Sequence, residues 1–170
     1  MALLPILQYP DERLHRVAQP VTRVDEKIQQ IIKDMAETMY AAPGIGLAAT
    51  QVDIALRIVV IDSSPSHDQL LTLINPQLIS QSGVSEFEEG CLSVPGMRGL
   101  VPRFLKLRYQ GFDETGKKID RTVSDFHARV VQHEVDHLDG ILYPMRMDDL
   151  SLLVFESEFE RFNEDAGPVD

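Results

Sequence analysis

Two histidines four residues apart, with a glutamate directly after the first, stand in the run Gln132-His133-Glu134-Val135-Asp136-His137. On an α-helix, residues i and i+4 share a face, so His133 and His137 can aim both imidazoles at a single ion. Glu134 falls roughly a third of a turn away. There it can move protons on a water activated by that ion without itself becoming a ligand. A divalent metal so placed makes water a nucleophile near neutral pH. The flanks predict the helix. Ser124-Asp125 offer an N-cap, Phe126, Val130 and Val131 give apolar helical spacing, and Gly140 offers a stop.

A catalytic metal of this kind takes three protein ligands and keeps one position open. A longer H-E-x-x-H-x-x-G-x-x-H pattern would place the third histidine at 143; Gly140 is present, but the residue is Tyr143. Glu156, Glu158 and Glu160 are available downstream, in an acidic stretch with no further signature. Cys91 is the only cysteine of the chain, in Glu89-Gly90-Cys91-Leu92-Ser93. A lone cysteine forms no internal disulfide and is often a small buried hydrophobe. Here Gly90 permits close backbone approach, and a metal would hold the sulfur as thiolate. A set of two histidines and one cysteine is soft enough for Fe(II), Ni(II), Co(II) or Zn(II).

A third segment, Gly44-Ile45-Gly46-Leu47-Ala48-Ala49-Thr50-Gln51, superficially matches a dinucleotide fingerprint. That motif follows a strand and opens a helix, whereas this one follows a helical stretch ending at Ala42-Pro43. It suits a side-chain-poor edge along which a peptide backbone can lie, with the Gln51 amide donating to a developing oxyanion.

Together the three segments resemble peptide deformylase, whose motifs have the forms G-x-G-x-A-A-x-Q, E-G-C-x-S and Q-H-E-x-x-H. The similarity runs from Pro5-Ile6-Leu7 and Pro10-Asp11-Glu12-Arg13-Leu14 to about Tyr143. The resemblance implies that Cys91, His133 and His137 are the metal ligands and that Glu134 is the general acid and base. It implies oxyanion donors at Gln51 and the Leu92 N–H, and it places Ile45, Gly46 and Gly90 along a substrate held as an added strand. It further implies one Fe2+ per chain, with Zn2+, Ni2+ or Co2+ as substitutes. The implied substrate is the N-formyl-methionine of new polypeptides, with the formyl group released as formate in the cytoplasm. Phe126 and Val130 lie on a helix face compatible with lining the methionine pocket, with Ile45 opposite. Asp136 or Glu89 would orient a ligand, and Arg98 or Arg103 would pair with Glu89. An endopeptidase with a glutamate ligand and a non-catalytic metal scaffold are the competing readings. A pure scaffold would need neither Glu134 nor Gln51.

The elements that must position these residues follow from periodicity. Ile28, Ile31, Ile32, Met35 and Met39 predict an amphipathic helix over 25–41. Residues 57–62, 70–75 and 77–82 read as strands, the last two joined at Asn75-Pro76. A hairpin is expected of 104–113 and 117–123 around Glu114-Thr115-Gly116. Residues 1–23 read as irregular with a short helical turn at 11–14, and 150–162 as wholly or partly helical. The expected class is α+β, antiparallel sheets packed around a central helix that carries the H-E-x-x-H run. One catalytic domain is expected over 1–147, followed by an acidic, partly helical tail over 148–170.

At 170 residues the chain can bury a core of its own. Its net charge of −11 predicts no diffuse nucleic-acid-binding surface. Neither a signal peptide nor a membrane span is legible. The tail carries Asp148, Asp149, Glu156, Glu158, Glu160, Glu164, Asp165 and Asp170 against Arg161 alone. Many bacterial deformylases end in a basic helix that meets the ribosome. This tail would be repelled by ribosomal RNA, which argues against that docking mode.

Overall fold

The computed structural model describes residues 2–158. Helix α1, Glu26–Ala41, begins where the Asp25 carboxylate accepts the Ile28 N–H at 3.0 Å. Its buried stripe is Ile28, Ile32, Met35 and Met39, the expected 3.6-residue period. Helix α2, Asp125–Leu138, carries the H-E-x-x-H run and is buried from Ala128 to its end. Ser124 stands at its N-cap without a side-chain capping bond. Gly140, at φ 75°, lets the chain leave it.

Between the helices lies a five-stranded antiparallel sheet. Its strands are β1 (Gly46–Ala48), β2 (Ile58–Ile61), β3 (Leu71–Ser82), β6 (Lys106–Phe112) and β7 (Lys118–Ser124), in the order β1-β2-β3-β6-β7. The period of two divides the core. On β2, Ile58 and Val60 pack with α1, while Val59 and Ile61 pack with α2. All four are buried, which explains a strand apolar at every position rather than at alternate ones.

A second sheet has three antiparallel strands, β4 (Ser85–Cys91), β5 (Val94–Arg103) and β8 (Val154–Phe155), in the order β4-β5-β8. Val94 and Val101 pack there with Leu7, Leu14, Leu142 and Tyr143. Thus β1 ends one sheet and β4 ends the other.

The α+β class, α1, the motif helix and the 106–112/118–124 hairpin match expectation, as does a 3-10 turn at Glu12–His15. Two expectations change. The strands on either side of Asn75-Pro76 are one strand, β3, whose register against β6 shifts between Ile74 and Gln77. Asn75 takes φ 52° and Pro76 has no N–H to give the ladder, so the break is a bulge within a strand. Over 150–162, the described part is partly helical, with a 3-10 turn at Leu150–Leu152 and helical residues at 156–158, but between them stands the unexpected strand β8, which pairs Met97 with Phe155 and Arg98 with Val154. β-branched and aromatic residues at 154–155 suit a strand edge. Residues 159–170, and with them most of the acidic tail, lie outside the described residues. Among the described residues no helix is long and apolar enough to cross a membrane.

Candidate metal centre and active-site cleft

The two sheets meet over a cleft of about 710 Å³. Ile45 and Gly46 reach it from the start of β1, and Gln51 from the turn that follows. Gly90 and Cys91 close β4, and Leu92 opens the two-residue turn to β5. From α2 come Phe126, Val130, His133 and Glu134. His137 lies one turn behind, 1% exposed, and meets the site through its ring. The ligand, acid–base, oxyanion and pocket residues singled out in the sequence therefore converge on one place.

Cys91 Sγ and one nitrogen each of His133 and His137 lie within 4.8 Å of one another. The Cys91 sulfur is 3.4 Å from His137 Nε2. Two imidazoles four apart on a helix and a thiol delivered by a separate sheet form the soft donor set of a three-ligand metal site. Among the alternative ligands, Glu156 pairs with Arg98 at the cleft rim at 3.3 Å, and Glu160 lies outside the described residues. Among the described residues the group that can hold a metal is Cys91, His133 and His137. Tyr143 stacks on His133, with ring centroids 6.2 Å apart.

His133 is held from behind, whereas His137 Nδ1 is buried with no hydrogen-bond partner among the described residues. His133 Nδ1 lies 2.7 Å from Glu89 Oε1, which leaves Nε2 for the site. Arg103 grips Glu89 with two bonds of 2.9 Å and reaches Asp136 at 2.5 Å with its remaining nitrogen. Arg146 then donates twice to Asp136. Glu89 thus orients His133, with Arg103 as its partner, while Arg98 belongs to Glu156 and Asp136 anchors Arg103. Burial alone would raise the Glu89 carboxyl. The hydrogen bonds from His133 and Arg103, and their charges, overcome it and hold the group at about 2. Breaking such a buried pair typically costs about 3–5 kcal/mol.

Glu134 behaves differently. Its side chain is buried, its Oε2 has no hydrogen-bond partner, and burial raises its carboxyl to about 7. His133 counters that rise and the charge of Glu89 adds to it. A carboxyl poised near neutrality and without a fixed partner is suited to accept and return a proton. Burial also pushes His137 well below the usual imidazole range, helped by the charges of His133 and Arg103, so its nitrogens stay neutral. For His133 burial acts in the same direction, but hydrogen bonds to Cys91 and Glu89 outweigh it and raise the ring.

Gln51 is fixed at both ends. Its Oε1 accepts the Ala48 N–H at 2.9 Å, and its Nε2 donates to Ser93 Oγ at 2.9 Å. That nitrogen stands 3.7 Å from Cys91 Sγ, so the amide faces the metal ligands. At position 46 any side chain would press on the acid–base group. A Cβ there would overlap the Glu134 carboxylate, lying 2.8 Å from its Cδ. Phe126 stays half-exposed at 50%, and Val130 is buried at 5%.

Sequence reasoning passed over Arg129. It is 5% exposed and sits one turn before His133, with its guanidinium on Glu89. The available signal was a charged residue at i−4 from a ligand on the helix face that must be buried.

The chain matches the model of polypeptide deformylase over residues 3–152. It is 38% identical to a peptide deformylase from Legionella pneumophila, whose crystal structure it fits with a TM-score of 0.85 over 99% of this chain and 100% of that one. A peptide deformylase from Synechococcus elongatus in complex with actinonin is 34% identical, with a TM-score of 0.81 over 98% and 87% of the two chains. The Thermotoga maritima peptide deformylase is 33% identical, with a TM-score of 0.84 over 88% of this chain and all of that one. With the family matched over most of its length and the three motifs meeting in one cleft, the chain belongs to the polypeptide deformylases.

Proposed function

We propose that Glu134, Gln51 and the Leu92 N–H, beside a metal held by Cys91, His133 and His137, remove the N-terminal formyl group of formyl-methionyl polypeptides as formate. The observation that carries this reading is the buried, unpartnered Glu134 Oε2 next to three ligand atoms that lie within 4.8 Å of one another.

Bound there, a divalent cation supplies Lewis acidity that makes water nucleophilic near pH 7. Glu134 takes the proton from the attacking water. The formyl carbon becomes tetrahedral, and its oxygen gathers charge where the Gln51 amide and the Leu92 N–H can donate. One such donor is worth about 3 kcal/mol in comparable sites. Glu134 then hands the proton to the leaving amine, giving formate and a free N-terminus. Ala48 and Ser93 already orient the Gln51 amide, so that only the N–H directed at Cys91 Sγ has to turn toward the oxyanion. The substrate backbone runs between Ile45-Gly46 and Gly90, and its methionine side chain packs against Phe126 and Val130 with Ile45 opposite.

The soft set of two imidazoles and a thiolate supports Fe2+ as the working ion, with Zn2+, Ni2+ or Co2+ as substitutes. Nascent chains in the cytoplasm are the substrates that fit this chemistry. The surplus of Asp and Glu from 148 onward supports a mode of meeting them that does not rely on a basic helix against RNA. The test is Glu134→Ala. Metal content should match that of the parent, while formate release from a formyl-methionyl peptide should fall by a factor of at least about 10². Retained turnover in a metal-loaded variant overturns the assignment.

A further inference from the structure

The three ligands come from two bodies of the fold. The histidines ride on α2, which is backed by the five-stranded sheet, and Cys91 ends β4 of the three-stranded one. The distance between thiol and imidazoles is therefore set by whatever fastens the small sheet to the helix.

Arg103–Asp136 and His133–Glu89 each tie one strand of that sheet to α2, and Arg129 is the fastening that ties both strands at once. Its Nη1 donates to Glu89 Oε2 at 2.7 Å and to the Val101 carbonyl at 2.7 Å. Its Nη2 donates to the Ser85 carbonyl at 2.9 Å and the Ser85 hydroxyl at 3.0 Å. One guanidinium on α2 thus satisfies a backbone acceptor on each of β4 and β5, together with the carboxylate that orients His133. Arg129 also borders the cleft. Arg103 cannot replace it. Arg103 lies on β5 itself, divides its charge between Glu89 and Asp136, and leaves the Val101 and Ser85 carbonyls without this donor.

We infer that Arg129 is a positioning residue for the metal centre: it cross-links α2 to the β4–β5 sheet and fixes Glu89, so that Cys91 and His133 are presented together. The inference rests on Cys91, His133 and His137 being the metal ligands. A fork with four directed bonds is a shape that lysine, a point charge on a flexible stem, reproduces only in part.

Arg129→Met keeps an aliphatic stem and removes the fork; Arg129→Lys keeps the charge. Cobalt affinity is measured by competition with a chelator, and the thiolate-to-cobalt absorption reports the Cys91 bond directly. The melting temperature of the metal-free protein and the separate kcat and KM values complete the set. We expect Arg129→Met to bind cobalt roughly 10- to 100-fold more weakly, as when other groups that orient metal ligands are removed. Its charge-transfer band should change, and kcat should fall more than KM rises. Arg129→Lys should recover part of the affinity, and it decides the matter if the Met variant does not fold.

Cobalt affinity and spectrum equal to the parent's in a folded Arg129→Met protein overturn the inference, whatever its melting temperature. So does a rise in KM alone, which would make Arg129 only a wall of the cleft. Arg108→Met, on the exposed Arg108–Asp120 pair, should leave every reading unchanged. If the parent protein binds cobalt through the Cys91 thiolate but releases no formate, the deformylase reading fails while the role of Arg129 remains open to the same measurement.

Discussion

Replacing Gly46 by alanine should disable the enzyme through one methyl group. The added Cβ would stand 2.8 Å from Glu134 Cδ and 2.9 Å from Cγ, and would overlap Oε1. Non-bonded carbons rest at about 3.5–4.0 Å, so the carboxylate must retreat by about 1 Å. A catalytic group displaced by that much loses about 10² in rate, equivalent to about 3 kcal/mol in the barrier. Retreat is the only response open to the pair: Gly46 is paired with Ile61 on β2, and Glu134 sits on a stretch of α2 that is buried throughout. Gly46 touches none of the three ligands in this clash, so metal content should hold. The assay is initial-rate formate release from a formyl-methionyl peptide with metal content measured on the same sample. We expect kcat to fall about 100-fold with a much smaller change in KM. A kcat within about threefold of the parent, or a loss matched by lost metal, would refute the reasoning.

Three further outcomes follow from the same geometry. Cys91→Ser removes the soft ligand and should abolish both metal retention and turnover; an active, metal-loaded variant would return the third-ligand role to a glutamate. Val130→Phe fills space along the cleft beside α2 and should raise KM for formyl-methionyl peptides, and unchanged kinetics would take Val130 out of the pocket. In metal-free protein, the Glu134 carboxyl is raised to about 7 from an ordinary 4.5. The folded state therefore holds a proton that the unfolded chain releases. The contribution is fully present below about pH 4.5 and is lost as pH rises to about 7, on the order of 3 kcal/mol. Chemical denaturation across that window should show the decline in the parent and not in Glu134→Gln; an equal slope in both would show that another group carries it.

The helices were legible because each buries one stripe at a period that sequence displays. The Gly44–Gln51, Glu89–Ser93 and Gln132–His137 motifs were legible because their residue types are chemically unusual at those spacings. The small sheet was not. Its strands contain Glu86, Glu88, Glu89 and Gly90 on one side, and Pro95, Gly96, Gly99 and Pro102 on the other, which read locally as loop. They are strands because each supplies the other's ladder from Ser85–Arg103 to Cys91–Val94, a pairing that no single segment announces. The charges behind the site were legible only in part. The pairing of Glu89 with Arg103 could be named beside the Cys91 motif, but Arg129 and the link from Arg103 to Asp136 resemble a solvated surface in sequence, and only the meeting of α2 with β4 and β5 closes the set. Val154–Phe155 reads as helix in isolation because its strand partners, Met97 and Arg98, lie far earlier in the chain.

The cleft is bordered by β1 and β4, each the last strand of its sheet. Open strand edges are where folded proteins stick to one another, since unpaired N–H and C=O groups accept any extended chain. An enzyme that must admit extended chains of varied sequence cannot close such an edge with a bulky cover. This one limits the hazard in other ways. The open run of β1 is three residues long, a 3-10 turn follows it directly, and Pro43 and Gly44, which propagate a sheet poorly, stand just before it. A net charge of −11 repels a second copy before its backbone can dock. Engineering that relieves these features, by lengthening β1 with β-branched residues or neutralising surface acids, should therefore appear first as self-association in the absence of substrate and only later as altered kinetics.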